Sequence, residues 1–340
     1  MSEAAVAGSA PVLVMGAGAI GCYLGGLLQA AGLAVVFVGR PRVLDALAAH
    51  GLNLSDRDGG QRRLRREALR LETSIPAGLQ PALTLLCVKS GATAQAAQAL
   101  QAQLPAGSLV LSMQNGIGNA QRAAAVAPDL RFLAGMVPFN VAELGPGHYH
   151  RGTDGDLVAQ ANAALLPYVE HFGRAGLRLR LVEDMLAVQW GKLLLNLNNP
   201  VNALSGLPLR EQLLQRGYRR CLAALQDEAL ALLHQAGIKP AQLTALAPER
   251  LPTLLRLPNP LFRLLAARML KIDAAARSSM ADDLALQRVT EIDMLCGEVQ
   301  RLAQKLGRQA PVNARIQALV QAWPQRPQPY SAEELLRAIG

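Results

Sequence analysis

Aromatic residues are scarce: Phe, Trp and Tyr together make up 4% of the 340 residues. Leu and Ala must therefore fill most of any core. Acids are also outnumbered, 25 Asp and Glu against 34 Lys and Arg, and the net charge of +9 comes largely from arginine. A nucleic-acid surface would cluster those arginines and interleave aromatics, but they are spread along the chain; an anionic small molecule, or unspecific basicity, explains the balance as well. Cysteine is sparse and scattered, at Cys22, Cys87, Cys221 and Cys296, with no metal-ligand spacing. Reduced thiols in a cytoplasmic protein are expected, and no metal. No apolar run is both long and unbroken, since the stretch from Val12 to Val38 is repeatedly interrupted by glycine. The opening MSEAAVAGSAP lacks a charged segment followed by an apolar one, so no secretory signal is expected. What remains, 51% hydrophobic and 17% charged residues, fits a soluble globular protein long enough for two domains.

The stretch PVLVMGAGAIGCYLGGLLQAAGLAVVFVGR reads as strand, tight glycine turn, helix and second strand. Asp58-Gly59 lies in an alternating segment and predicts a small hairpin, whose arginines at 62, 63, 65, 66 and 70 read as a solvated strand face. ALTLLCVKS and SLVLSMQNG are short apolar runs flanked by Ala-rich helical segments. This alternation predicts a parallel sheet covered on both faces. From about Val188 onward strand-like runs disappear, and helices are predicted over 211–236, 241–256, 261–276 and 279–307, with Pro252, Pro258 and Pro260 marking turns. The expected fold is α/β: a Rossmann-like dinucleotide-binding domain over 1–186, then an all-helical substrate domain over 187–340.

Gly16, Gly18 and Gly21 form a G-x-G-x-x-G pattern directly after an apolar strand and at the opening of an amphipathic helix. That context suits a dinucleotide: the first glycine permits the turn, the second lets a pyrophosphate approach, and the third lets helix and strand pack closely. The whole turn, Gly16, Ala17, Gly18, Ala19, Ile20 and Gly21, is expected to hold the cofactor. The second strand ends FVGRPR, with Arg40 and Arg42 where an NAD site would offer an acid; the next acid is Asp45. A guanidinium suits a 2′-phosphate, so NADPH/NADP+ is expected, with Arg40 favoured and Arg42 facing solvent. Lys89 and Asn115 fall in loops beyond strand ends, where ligands bind in such sheets; a surface lysine and an ordinary Asn-Gly turn are the plainer readings.

WGKLLLNLNNPVNALSG sets Lys192 and four asparagines into an apolar run. On a helix, Lys192, Asn196 and Asn199 fall within about 60° of arc, and Asn198 points about 120° away. Pro200 removes a helical bond to the carbonyl of Asn196 and predicts a kink. Further on, Glu291 borders an apolar helix face and needs a cation: Lys192, or Arg288 three residues back. Ser279 and Asp283 lie one turn apart near a helix start that Ser278 or Ser279 caps.

Taken in order, GAGAIG, GR, VKS, QNGIG, WGKLLLN, SSMADD and TEID resemble the ketopantoate reductase (2-dehydropantoate 2-reductase) family over nearly the whole chain. The resemblance implies NADPH-dependent reduction of 2-dehydropantoate to pantoate, a step of pantothenate biosynthesis. It implies Lys192 as proton donor, with Asn196, Asn199 and Ser279 on the substrate, and Arg40 on the 2′-phosphate. Lys89, Asn115 and Glu291 would meet the nicotinamide-ribose end or its neighbourhood, Asn115 also reaching substrate, and Val141 would make a backbone contact to the cofactor. Three departures touch the substrate pocket. The interval from lysine to the next N-P is one residue short, which leaves Asn198 as the alternative to Asn199. Family asparagines fall near Leu209 and near Ala276, and Asn202 offers a substitute for the first. Another branched keto acid, or a non-catalytic NADP(H)-binding regulator, are the other expectations. The implied cleft lies between the sheet's carboxyl edge and the helical half, with domain closure around a small keto acid. The helical half carries enough apolar face for a homodimer, which sequence does not distinguish from a core; neither nucleic acid nor membrane is an expected partner.

Overall fold

Strict alternation builds the first half. The computed structural model describes residues 10–340 except 268, 271, 272, 274 and 275. Its strands are β1 (Val12–Met15), β2 (Val35–Val38), β3 (Leu52–Asp56), β4 (Gln61–Leu64), β5 (Arg70–Glu72), β6 (Leu83–Leu86), β7 (Leu109–Ser112), β8 (Arg131–Met136), β9 (Val141–Gly145), β10 (His148–Arg151), β11 (Leu157–Gln160) and β12 (Leu179–Val182). Val12, Val14, Val35, Phe37, Leu83, Leu85, Leu109 and Leu111 face one core, while Leu13, Val36, Val38, Leu86 and Val110 face another. Period-two side chains thus bury both faces of one sheet.

That sheet has eight strands in the order β12-β11-β8-β7-β6-β1-β2-β5. From β5 to β8 all neighbours are parallel, in the 3-2-1-4-5-6 order of a dinucleotide fold. The expectation of a wholly parallel sheet needs one correction, because β11 runs antiparallel to β8. Between β8 and β11 the chain detours through the β9–β10 hairpin; without a crossover helix there, the returning strand pairs antiparallel. That hairpin joins β3 and β4 in a second sheet, β4-β3-β10-β9. The β3–β4 turn is the predicted one, closed by the Asp56 carboxylate accepting from the N–H groups of Asp58 (3.0 Å) and Gly60 (2.7 Å). Its five arginines are exposed.

Helices α1 (Ala19–Ala30), α2 (Pro41–His50), α3 (Thr93–Gln103), α4 (Asn119–Val126) and α5 (Leu166–Arg174) cover the main sheet. The small sheet packs on α1, which is therefore gripped from two sides. A Cβ on Gly25 would stand 2.6 Å from Phe37 and 2.8 Å from Val14, and one on Gly26 would stand 2.6 Å from Leu52. The Gly25-Gly26 pair is what lets one helix lie between two sheets.

A compact unit ends at Met185, and a second spans Leu186–Gly340. The second contains no strand among the described residues. Its helices are α6 (Met185–Asn196, begun by the last residue of the first unit), α7 (Asn198–Ser205), α8 (Leu209–Leu214), α9 (Arg216–Gln235), α10 (Leu251–Arg256), α11 (Asn259–Leu265), α12 (Ser279–Ala285), α13 (Cys296–Lys305), α14 (Pro311–Gln321) and α15 (Ala332–Ile339). Helices α7, α8, α10, α13, α14 and α15 pack on α9. Its buried Arg219 donates to the carbonyls of Leu255 (3.0 Å), Leu213 (2.8 Å) and Leu257 (2.8 Å) and lies over the Phe262 ring at 4.0 Å. Burial pushes this guanidinium down to about 10. Glu228, also on α9, accepts from the N–H groups of Val312 (3.0 Å) and Asn313 (2.9 Å), so a carboxylate meets the positive end of α14.

The predicted long helices are shorter. The 211–236 pattern breaks at Gln215, the 241–256 helix begins only at Leu251, and part of the 261–276 pattern lies outside the described residues, with α11 ending at Leu265. The 279–307 pattern splits because α12 closes in a Schellman turn: Arg288 N–H donates to the Asp283 carbonyl (2.7 Å) and Gln287 N–H to that of Leu284 (3.1 Å). Gln287 pays for this turn with a left-handed φ of 52°. Replacing it by glycine is expected to stabilise the chain by about 0.5–1 kcal/mol, the usual cost of a left-handed non-glycine residue less the added entropy of the unfolded chain. Denaturant unfolding of Gln287→Gly checks this, and an unchanged or lower midpoint contradicts it.

Candidate active site

The glycine turn is built by contact with the strands beside it. Gly16 and Ala17 both donate to the Val38 carbonyl at 2.9 Å, locking the turn to the end of β2. Gly16 has φ +108°, and a Cβ there would stand 2.6 Å from the backbone nitrogen of Val88. Gly21 lies so close beneath the turn that a Cβ would collide with the Gly16 carbonyl and the Val14 side chain. Gly18 differs: it is exposed, and a Cβ on it would meet nothing within 4 Å. The first intrahelical bond runs from Cys22 N–H to the Gly18 carbonyl, so Ala19, Ile20 and Gly21 point N–H groups past the helix start. An open backbone cradle at a helix N-terminus, beside the point where strand order reverses, fits the pyrophosphate of a dinucleotide.

Arg40 is exposed at the end of β2 and has no side-chain partner among the described residues. Arg42 does not simply face solvent: it pairs with Glu143 on β9 at 3.4 Å. Val141 opens β9 and is half-buried against the core around α1. Lys89 is exposed beyond β6, and Asn115 is exposed beyond β7. Beneath them lies a polar network that the sequence reading missed, formed by Ser90, Thr93, Ser112, Gln114 and Asn119. Its signal was present as polar residues in otherwise apolar or Ala-rich segments.

In the helical unit, α6 ends at Asn196 and α7 restarts at Asn198. Pro200 offers no N–H to the Asn196 carbonyl, which accounts for the break. Trp190, Leu193, Leu194 and Leu197 are buried, whereas Lys192, Asn196 and Asn199 are half-buried and form the edge of the core. Burial pushes Lys192 down to about 8. The side chains of Asn196 and Asn199 make no hydrogen bond among the described residues. Asn198 turns away and donates to Gln212 Oε1 at 3.2 Å.

Ser278 takes the capping role, accepting from Ala281 N–H at 3.2 Å, and leaves Ser279 exposed at the start of α12. Ser278 Oγ also donates to the Asn199 carbonyl at 3.3 Å, which brings Ser279 beside Asn199. Asn202 is no substitute for the missing family asparagine. It is fully buried, donates to the Leu207 carbonyl (2.8 Å) and accepts from Ser278 N–H (2.9 Å). Glu291 is half-buried at the head of a short 3-10 turn in this unit; the helix break removes the i,i+3 spacing to Arg288.

Family models decide the identity of this arrangement. The model described as ketopantoate reductase PanE/ApbA matches residues 12–163, and that of its C-terminal part matches residues 184–323. The chain belongs to the ketopantoate reductase family. Membership makes it an oxidoreductase of a dinucleotide-dependent family. The 2-dehydropantoate 2-reductase of Pyrococcus horikoshii is 28% identical over 319 residues, which cover 92% of this chain and 96% of the relative. That of Archaeoglobus fulgidus is 27% identical over 320 residues, covering 91% and 96%. A PanE/ApbA family ketopantoate reductase from Ralstonia eutropha superposes with a TM-score of 0.78 at 29% identity, covering 93% of this chain and 99% of that one. D-mandelate dehydrogenase, solved with NADH and anilino(oxo)acetate, shares the fold with a TM-score of 0.76 at 20% identity, covering 92% and 97%. Among the described residues no helix is long and apolar enough to cross a membrane.

The two glycines give opposite expectations. Gly18→Ala meets no neighbour, so its thermal midpoint should stay within about 1 °C of the parent while dinucleotide affinity drops at least tenfold. Gly21→Ala should lose several degrees from steric collision. Calorimetry and dinucleotide titration of both variants check this, and unchanged affinity in Gly18→Ala would mean that no ligand approaches that backbone.

Proposed function

We propose that the chain reduces 2-dehydropantoate to pantoate with NADPH, a step of pantothenate biosynthesis. One observation carries this reading: a half-buried lysine with its pKa pushed down to about 8 is followed by Asn196 at the end of its own helix and Asn199 at the start of the next, both half-buried and with side chains that make no hydrogen bond among the described residues. Reducing a keto group requires a proton for its oxygen as negative charge develops there. Lys192 in its charged form hydrogen-bonds that oxygen and yields the proton, while the asparagine amides and the Ser279 hydroxyl orient the rest of the acid. The bound dinucleotide supplies the hydride. Gly16 through Gly21 would hold its pyrophosphate, Arg40 its 2′-phosphate, and Lys89, Asn115, Val141 and Glu291 its nicotinamide-ribose end; Asn115 also reaches substrate.

One observation favours a second reading, in which the substrate is a different branched keto acid. The Leu209 N–H donates to the Ala276 carbonyl at 2.8 Å. The two positions near which the family pattern carries asparagine are therefore neighbours, and both amides are lost from one spot. A pocket poorer in hydrogen bonds there suits a less hydroxylated tail. Turnover of a keto-acid panel with NADPH separates these readings. Tight NADPH binding with no turnover of any keto acid overturns both and leaves a regulator.

Lys192→Ala should lower kcat about 10²–10⁴-fold, the usual share of a general acid; loss of only a few-fold removes Lys192 from the chemistry. Arg40→Ala should reduce the preference for NADPH over NADH roughly ten- to hundredfold, the worth of a charged hydrogen bond, and an unchanged ratio rejects the 2′-phosphate assignment. The donor must be protonated, so kcat/KM for reduction should fall as pH rises through about 8. Stability moves the other way. The Lys192 pKa is depressed from its ordinary 10.5 on folding, so between about 8 and 10.5 the unfolded chain holds more protons. Lys192 therefore contributes a stability that rises with pH across that window. Lys192→Met should raise the thermal midpoint at pH 7, and the gain should shrink by pH 10.

A further inference from the structure

We infer that Gln114 and Asn119 are positioning residues that set the separation of Lys89 and Asn115, and through it the grip on the nicotinamide-ribose end of the dinucleotide; the inference rests on the reading of this edge as a dinucleotide site. Gln114 Nε2 donates to the Val88 carbonyl at 2.9 Å and to Thr93 Oγ1 at 2.8 Å, while its Oε1 accepts from Ser112 Oγ at 2.9 Å. Asn119 Nδ2 donates to the Asn115 carbonyl at 2.6 Å and to Ser90 Oγ at 3.2 Å; its Oδ1 accepts from Arg122 at 2.7 Å. Ser90 Oγ in turn donates to the Asn115 carbonyl at 2.9 Å.

Every N–H of both amides is used, which fixes their orientation and makes a network of buried groups that are mutually satisfied. Asn119 and Thr93 are 1% exposed, so these amides and hydroxyls have given up water to be there. Apolar residues would pack the same space without that desolvation. What the polar groups achieve is specific: they tie down the carbonyl just before Lys89 and that of Asn115 itself, in two loops whose carbonyls water would otherwise serve. Gln114 bonds the Val88 carbonyl, and Gly16 lies so close to the Val88 nitrogen that a Cβ on it would stand 2.6 Å away. Three loops at the carboxyl edge of β1, β6 and β7 are thereby braced in series, and a displacement at Asn119 is passed to both ligand-facing residues.

Asn119→Asp keeps the acceptor for Arg122 but removes the donor to Asn115; Gln114→Glu removes the donor to Val88. For each variant, NADPH Kd and KM should rise at least fivefold with kcat within twofold of the parent, because a loop that holds the cofactor equally in ground and transition states changes KM alone. Combined with Lys89→Ala, Gln114→Glu should add less than twofold to the loss of the single Lys89→Ala variant, since its bond to the Val88 carbonyl acts on the neighbouring Lys89. Should either amide variant fail to fold, Ser90→Ala removes the hydroxyl that donates to the Asn115 carbonyl and accepts from Asn119, and should raise Kd at least twofold. Kd and KM within twofold of the parent, with only the thermal midpoint lowered, overturn the positioning role, as do losses that multiply with that of Lys89→Ala. A parent that binds neither NADPH nor NADH overturns the dinucleotide reading itself, and this inference with it.

Discussion

Helix α1 must pass between two sheets and still present its first turn at the edge of the larger one. Side chains on both flanks would force the layers apart, since packed interiors tolerate little extra volume. Glycine at 21 and 25 brings the helix onto β1 and β2, and glycine at 26 admits the leucines of β3. Once the helix is that close, the preceding turn has little freedom. It presses on the backbone after β6, and Gly18 becomes the one member with open space before it. The cradle for a ligand is thus a by-product of close packing elsewhere, and the loops after β6 and β7 are set by the same contact through Val88.

The helical unit solves a different problem, keeping polar groups at the rim of an apolar core. A lysine and two amides in a continuous buried helix would have to be satisfied internally or expelled. Breaking the helix at Leu197 relaxes this. Asn198 turns to Gln212, Asn202 is consumed in anchoring Ser278, and Lys192, Asn196 and Asn199 remain on the half-buried edge. Partial burial is also what shifts the lysine: deep enough to lose hydration, shallow enough to stay reachable.

Much of this was legible from residue order. The glycine spacing, the strand after it and the alternating apolar runs marked the first unit because period-two burial and turn chemistry are local properties. The helical stripe of Lys192, Asn196 and Asn199 was equally local. Long helices were read less well: Gln287, with no glycine to announce a stop, closes α12 through a bond set by its neighbours.

Sequence by itself determined which segments alternate, where the chain must turn, and which residues carry charge or amide at the expected sites, since each of these depends on neighbours a few positions away. Tertiary structure alone decided which asparagine is spent on structure and which stays open. It also decided that Arg42 is engaged by Glu143 while Arg40 has no side-chain partner among the described residues, and that Gln114 and Asn119 bind two loops together. Asn198 meets Gln212, 14 positions away, and Arg42 meets Glu143, 101 positions away, and no local pattern encodes such a meeting.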